Sequence, residues 1–583
     1  MKLKHFSLLL MLSISLVAFA NTPTKKGFNK LKSVYSSAIQ ALNEVKTPKQ
    51  LPAAILELNK IQKKAAKDPQ INTILALTQA DCPASFKTDF EEITSLQTEL
   101  KDAGKRLAMG GILQDGVSAN AYKQFAEKFI PAAAEEEAPL NEGAPFETKE
   151  ARDKRMKWWR DGKFGMFVHY GLYSGLAGEV KGQKYEGCVE WIQMQSGLDS
   201  ETYAAEALPK FTPKEGKATE WVKLAKESGC KYIVMTSRHH EGFNMFDTKY
   251  SDFNIMKTKG VNIADEYAKA CDEYGIKAGY YVSLLDWSHP DYDPTDSGIS
   301  YPQGNYDAEK RGDRKFGNHE KYKEYLYNIF DDLTSNYKVD LVWWDFSQPK
   351  FQGDQAWGAT RLMRNLFDKN PNAIQNNRLY HSDNHISEGG IKVTPTWKGD
   401  YSTAEHHIPA TGIDGDWEAC QTLNGTWGYS ADNQKWKTSD DLIRELIDVV
   451  SRGGNFLLNI GPEPDGSIPA ESIRLFQEIG AWMDINSEAI YETRANPFDV
   501  EFKWGRVTRK EDDTLYFFVY EKPENGLLQI PCTFDSNAKA VLLDNGETIA
   551  IQSGANNTTE IDIKNLTVQP GASVIKITGK YNK

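Results

Sequence analysis

The spacing of apolar positions changes twice along the chain, and the changes divide it into parts. From about Asn21 to Phe129, Leu31, Val34, Tyr35, Ala38, Leu42 and Val45 recur at helical spacing. So do Leu51, Ile55 and Leu58 and, after Pro83, Phe86, Phe90, Ile93, Leu96 and Leu100, with Lys and Glu on the other faces. This predicts a helical bundle over residues 21–130. It carries no chemical motif and reads as a docking or spacer module for an unidentified partner. Residues 131–148, with Pro131-Ala-Ala-Ala-Glu-Glu-Glu-Ala-Pro139, have no periodic apolar face and read as a linker.

From Lys149 onward, short apolar runs alternate with amphipathic stretches. Strands are expected at Gly165–His169, Tyr232–Ser237, Lys277–Ser283, Val339–Phe346, Asn372–Arg378 and Asn455–Asn459. Helices are expected at Ala218–Cys230, Ile263–Tyr274, Tyr322–Tyr337, around Thr360–Phe367, and at Asp440–Ser451. Repeated βα units require a parallel sheet, either closed or open. No Gly-x-Gly-x-x-Gly loop follows the first strand, and polar residues close many different strands, so residues 149–495 are expected to form an α/β (TIM) barrel. From Asn496 the helical period disappears. Val500–Trp504, Thr514–Tyr520, Gly526–Ile530, Lys539–Leu543, Thr559–Lys564 and Ser573–Ile577 alternate between turn signals, which predicts a β-sandwich over residues 496–583.

Composition narrows the function. A formal charge of −12 opposes binding to nucleic acid and to anionic membrane surfaces. Residues 1–20 carry Lys2 and Lys4, an apolar run from Phe6 to Phe19, and the small-x-small ending Ala18-Phe19-Ala20. This is the pattern of a secretory signal, so the protein is expected to be exported, to the periplasm or the cell exterior. No other stretch is long and apolar enough to span a bilayer. The 6 cysteines show no C-x-x-C spacing, so neither a disulfide framework nor a cysteine zinc site is implied. The 14 Trp and 26 Tyr suit a protein that packs aromatic faces against sugars.

The candidate chemistry lies at strand ends. Asp345 follows two tryptophans in a buried strand, and burying a carboxylate without donors is expensive. His169, His239, His240, Tyr281 and Arg378 close other strands, and Glu405 and Glu418 follow on a long segment. In a barrel, such positions converge on one pocket. Metal hydrolysis calls for two His alternating on the first strand, and only His169 is there. His239 and His240 are adjacent, so a strand running through both would aim them oppositely. A glycosidase calls for two carboxyl groups, which Asp345 and a later Glu supply.

Six ordered blocks carry a specific resemblance. They are Trp158-Trp159-Arg-Asp-Gly-Lys-Phe-Gly-Met-Phe-Val-His-Tyr-Gly171, Ser237-Arg-His-His-Glu-Gly-Phe243, Gly279-Tyr-Tyr-Val-Ser283, Trp343-Trp-Asp345, Trp417-Glu-Ala-Cys420 with Trp427-Gly-Tyr429, and Gly453-Gly-Asn-Phe-Leu-Leu-Asn-Ile-Gly-Pro462. Together they resemble the α-L-fucosidases of glycoside hydrolase family 29, over about residues 150–495. The resemblance implies a retaining, exo-acting α-L-fucosidase without cofactor or metal, acting on a fucosylated glycan. Asp345 matches the nucleophile. His169, His239, His240, Tyr281 and Arg378 match residues that hold the sugar or the nucleophile, Glu190-Trp191 resembles a pair beside the sugar, and Trp427 joins them. Glu405, in Thr-Ala-Glu-His, resembles the acid/base, with Glu418 as its rival and Glu190 more distant. The same machinery on an α-L-galactoside, or a silent carbohydrate-binding barrel, is the alternative.

Overall fold

The computed structural model describes residues 23–45, 47, 50–65, 67–75, 82–109, 147–292, 318–347, 352–380, 399–498 and 500–583. The signal-like residues 1–20, residues 110–130 of the expected bundle and nearly all of the expected linker lie outside them. The chain divides into two compact units, residues 1–142 and 143–583.

In the first unit, helix Lys25–Asn43 begins at Thr24, whose hydroxyl accepts from the Gly27 amide at 3.1 Å. Its buried stripe of Phe28, Leu31, Tyr35, Ala38, Ile39 and Leu42 shares one core with Leu51, Leu58, Ile71, Ile93 and Leu100. These last residues lie on helices Leu51–Ala65, Pro69–Leu75 and Lys87–Met109.

The second unit is built on eight parallel strands: β1 Phe164–Val168, β2 Tyr232–Arg238, β3 Lys277–Ser283, β4 Leu341–Asp345, β5 Ile374–Gln375, β6 Ser402–Glu405, β7 Trp417–Gln421 and β8 Asn455–Ile460. Each pairs with its neighbour in chain order except across β5 and β6, and β1 pairs with β8. A parallel bridge between Asn376 and Tyr401 closes the seam between β5 and β6. Asp400 clasps that seam. Its amide donates to Gln375 O at 2.7 Å, its carboxylate accepts from Gln375 N at 2.9 Å, and Arg155 holds both carboxylate oxygens at 2.6 and 2.9 Å. The sheet is therefore a closed (β/α)8-like barrel.

Alternation along the strands makes two cores. Phe167, Tyr232, Val234, Tyr281, Leu341, Trp343, Ile374, Cys420 and Leu457 fill the interior. The opposite faces pack on helices that include Lys217–Glu227, Ile263–Tyr274, His319–Asn336, Ala359–Lys369, Ser439–Ser451 and Ala470–Asn486. Helix Ser439–Ser451 shows the local logic: Thr438 and Asp441 form a capping box, and Leu442, Leu446, Ile447, Val449 and Val450 turn inward. Each such side chain contributes about 1.5–3 kcal/mol over an exposed one.

Beyond Asn496 a five-stranded antiparallel sheet, which includes Leu515–Val519 and Ser573–Thr578, faces a three-stranded one that includes Leu527–Ile530 and Thr559–Asp562. Leu515, Phe517, Leu528, Ile530, Ile561, Ile575 and Ile577 lie in the core between them. The expected strand at Val500–Trp504 is absent, and the strand is Gly505–Arg509. Phe502 and Trp504 pack on each other at 4.7 Å as a plug in that core, which mimics strand alternation without a ladder. Likewise, only Ile374–Gln375 of the expected Asn372–Arg378 is strand, and Asn377–Leu379 is a 3-10 turn. The Trp482 indole N–H donates to Ala572 O at 3.0 Å, joining a barrel helix to the antiparallel domain.

Candidate active site

At the C-terminal ends of the barrel strands lies a pocket lined by Phe167, His169, Glu190, Trp191, His239, His240, Tyr281, Trp343, Asp345, Phe346, Glu405 and Trp427. Asp345 is the last residue of β4 and is only 8 % exposed. Tyr281 OH donates to its Oδ2 at 2.6 Å, and Arg378 Nη1 donates to its Oδ1 at 2.7 Å. The same guanidinium donates through Nη2 to Glu405 Oε2 at 2.8 Å and through Nε to Thr403 Oγ1 at 2.8 Å. Arg378 thus forks between the two carboxylates, its plane 4.3 Å above Trp343. Burial opposes its charge, and Glu405 and Asp345 together outweigh burial, so the guanidinium stays protonated.

The residue after each acid is strained. Phe346 has φ of 81° and His406 has φ of 55°, a left-handed conformation that bulky side chains avoid. The turn after Asp345 carries the Phe346 ring to 5.6 Å from Trp191 and 5.3 Å from His240. The turn after Glu405 sets His406 4.7 Å from Trp427.

Three imidazoles line the pocket beside the acids, all neutral, with His240 Nε2 3.7 Å from Asp345 Oδ2. Burial holds His169 and His240 down to about 3, and burial with the neighbouring imidazoles holds His239 well below its ordinary value. Hydrogen bonds assign two tautomers. Asn459 Nδ2 donates to Trp427 O at 2.7 Å, which leaves Asn459 Oδ1 to accept from His169 Nδ1–H at 2.7 Å. Ser283 Oγ donates to Leu285 O at 2.9 Å and so accepts from His240 Nδ1–H at 2.6 Å. Both rings therefore keep Nε2 as a bare acceptor, a partner for a hydroxyl. The strand that would aim His239 and His240 oppositely does not run through them: β2 ends at Arg238, the chain turns, and both rings face the pocket 4.2 Å apart. Arg238 itself is buried on Asp286 at 2.6 Å.

Three more buried carboxyls surround this group, each pushed up to about 7 by burial. Glu190 lines the pocket, where Oε2 accepts from Gly428 N at 3.1 Å and Oε1 has no partner. Glu241 turns away and accepts from Leu172 N at 2.9 Å. Glu418 lies within the barrel below the pocket and does not line it. Tyr232 OH and Trp343 Nε1 donate to it at 2.6 and 3.0 Å. Among the described residues no group of three or more His, Cys, Asp or Glu side chains is placed to hold a metal ion, and all six cysteines are free.

Sequence reasoning missed Phe167 and Trp343, each two residues from a recognised strand-end position, and Asn459, which pairs with Phe167. Period-two alternation applied to β1, β4 and β8 finds all three. Phe346 gave no such signal, because its place depends on a left-handed turn.

Comparison of the chain with known proteins points to one family. The alpha-L-fucosidase family model covers residues 132–488. The chain belongs to the alpha-L-fucosidase family. It is thus a glycoside hydrolase. The alpha-L-fucosidase of Dictyostelium discoideum is 28% identical over 417 residues, 66% of this chain and 82% of that protein. Alpha-L-fucosidase isoenzyme 1 from Paenibacillus thiaminolyticus superposes with a TM-score of 0.64 at 32% identity, covering 74% of this chain and 100% of that one. A GH29 alpha-L-fucosidase of Bacteroides thetaiotaomicron, solved as a trapped covalent intermediate with 2-fluoro-fucosyl fluoride, has a TM-score of 0.64 at 28% identity, covering 76% and 100%.

Proposed function

We propose that the protein removes terminal α-L-fucose from glycans with retention of configuration. The observation that carries this reading is the Arg378 fork, which brings Asp345 and Glu405 to one end of one pocket. The shared guanidinium keeps the two carboxyl groups on the same side of the pocket, within reach of one glycosidic bond, as a nucleophile and an acid/base require. A covalent intermediate in the Bacteroides thetaiotaomicron relative supports the same chemistry.

In the first step Glu405 enters as the neutral acid, protonated on Oε1 while Oε2 accepts from Arg378, and an Asp345 oxygen attacks the anomeric carbon as Glu405 gives that proton to the departing glycosidic oxygen, leaving a fucosyl ester. In the second, Glu405 takes a proton from water, the water oxygen bonds to the anomeric carbon, and the ester bond breaks to restore Asp345. Tyr281 and Arg378 hold Asp345 for the attack. The bare Nε2 atoms of His169 and His240 accept from sugar hydroxyls, and the apolar wall of Phe167, Tyr281, Trp343 and Trp427 suits the C6 methyl better than the hydroxyl of an α-L-galactoside. The pocket is lined mostly by buried side chains, with Glu405 more exposed at its mouth, which supports exo action on a terminal residue. The signal-like pattern of residues 1–20 supports export.

Glu405 is preferred as acid/base because its side chain is 21 % exposed, at the mouth by which a leaving group departs. One observation favours Glu190 instead: its carboxyl sits near 7 with a free Oε1 in the pocket. Azide separates them. With an aryl α-L-fucoside, Asp345→Ala should lose turnover and form, with azide, only the inverted β-fucosyl azide. Glu405→Ala should be rescued with formation of the retained α-azide. Retained azide from Glu190→Ala alone moves the role to Glu190, and normal turnover by Asp345→Ala refutes the whole reading. A matched aryl α-L-galactoside tests the sugar.

A further inference from the structure

Glu418 has no place in the reaction as described, yet it is a wholly buried carboxylate with both oxygens engaged. It projects from β7 into the barrel, where Tyr232 OH donates to Oε2 at 2.6 Å and Trp343 Nε1 donates to Oε1 at 3.0 Å. Room for this arrangement comes from Gly165 on β1, since a Cβ there would stand 2.5 Å from the Tyr232 ring.

What rests on Trp343 matters more than what lies beneath it. The Tyr281 ring stacks on the indole with centroids 5.6 Å apart and planes 17° from parallel, and the Arg378 guanidinium sits 4.3 Å above it. These are the two groups that hold Asp345, at 2.6 and 2.7 Å. Each link is thus a direct contact: Glu418 to the indole N–H, the indole to Tyr281 and Arg378, and these two to the Asp345 carboxylate. Without an acceptor at Oε1 the indole is free to turn, and both donors lose their platform.

We propose that Glu418 is a positioning residue for the hydrolysis, one that aims Asp345 by locking the Trp343 indole against Tyr281 and Arg378. This rests on the reading of Asp345 as nucleophile. A residue acting through Asp345 affects bond formation at the anomeric carbon whatever the leaving group, whereas loss of an acid weighs most on poor leaving groups. Glutamine fits the role too. Its carbonyl accepts the indole N–H, and its amide donates to Tyr232 OH.

The test measures kcat and KM for a series of aryl α-L-fucosides of graded leaving-group acidity, using Glu418→Met, Glu418→Gln, Trp343→Phe and the Glu418→Met/Trp343→Phe double variant. Glu418→Met should lower kcat about 100-fold, the scale of a misplaced reacting group. The loss should be equal across the series with KM little changed, and Glu418→Gln should recover most of the rate. Trp343→Phe, which removes the N–H, should make the second substitution silent. Losses that multiply in the double variant, a loss that steepens with poor leaving groups, or a wild-type kcat in Glu418→Met overturns the proposal. Should Glu418→Met not fold, Trp343→Phe alone decides: a uniform loss of kcat with KM unchanged supports the proposal, and a wild-type kcat or a change confined to KM overturns it. Asp345→Ala, run alongside, keeps the two readings apart. Turnover there refutes the nucleophile, while an inactive Asp345→Ala beside a fully active Glu418→Met refutes only the positioning role.

Discussion

Replacing Arg378 by methionine should unsettle both the fold and the chemistry, and the structure sets the scale. The substitution removes two charge-assisted hydrogen bonds, at 2.7 Å to Asp345 and 2.8 Å to Glu405, and leaves two carboxylates facing each other in a site where Asp345 is only 8 % exposed. Breaking a buried ion pair by deleting one partner costs about 3–5 kcal/mol. The partial exposure of the two acid side chains, 11 % and 21 %, pulls the expectation to the lower end. A loss of about 3 kcal/mol is a large fraction of the roughly 5–15 kcal/mol that holds a domain folded. For catalysis, loss of a preorganised donor costs about 3–4 kcal/mol, or 100- to 1000-fold in kcat. Arg378→Lys should fall between, because an ammonium keeps the charge and cannot span both acids. Urea unfolding followed by tryptophan fluorescence, together with kcat/KM on an aryl α-L-fucoside, measures both effects. Arg378→Met within 1 kcal/mol and tenfold of wild type would show that the fork does not hold the acids, and the argument from it would fail.

Three further outcomes are expected. Burial holds the folded Glu190 carboxyl near 7 against an ordinary value of 4.5, so the native state carries an extra proton between these pH values, and the group's contribution to stability falls as pH rises through that window. Glu190→Gln should therefore gain on wild type by on the order of 3 kcal/mol between pH 4.5 and 7, read from unfolding free energies at both; a constant difference contradicts the assignment. Asn459→Leu strands the His169 Nδ1–H and should cost about 1–3 kcal/mol in kcat/KM, and an unchanged value would show that this tautomer is not held by Asn459. Phe346→Gly relieves a left-handed strain of about 1–3 kcal/mol while giving up a half-buried ring of similar worth. Its Tm should therefore stay close to wild type while kcat/KM drops, and a Tm lowered by about 2–3 °C, the shift of uncompensated ring loss in a unit of this size, would mean that φ at Phe346 is not strained.

How much of this was legible in the sequence depended on how each element is buried. Lys277–Ser283 and Ile263–Tyr274 have the boundaries their periodicity predicts, because the strand is buried on both faces and the helix on one. Strands Ser402–Glu405 and Trp417–Gln421 escaped notice. Ser402, Thr403 and Glu405 are polar yet enclosed by the barrel, so no apolar run marks them. Asp345, Arg378 and the histidines could be picked out because polar residues at the ends of buried strands are conspicuous. The relation of Glu405 to Glu418 could not, since both are glutamates on neighbouring strands, and only the depth of each within the barrel tells the mouth from the layer below the pocket. The tautomers of His169 and His240 were equally out of reach, being set by Asn459 and Ser283 from other strands.

The left-handed residues that follow both acids have a bearing on how such an enzyme could be re-engineered. Asp345 and Glu405 each occupy the final position of a strand, and the chain swings away within one residue, at Phe346 and His406. The acids are consequently referenced to the barrel frame and owe little to the loops beyond. Those loops can be exchanged or lengthened to recognise a different glycan around the fucose, provided that the graft begins after the turning residue and leaves its backbone alone. Grafts that start one residue earlier would carry the turn with them and shift the acid, so the junction, more than the inserted sequence, decides whether a chimera turns over.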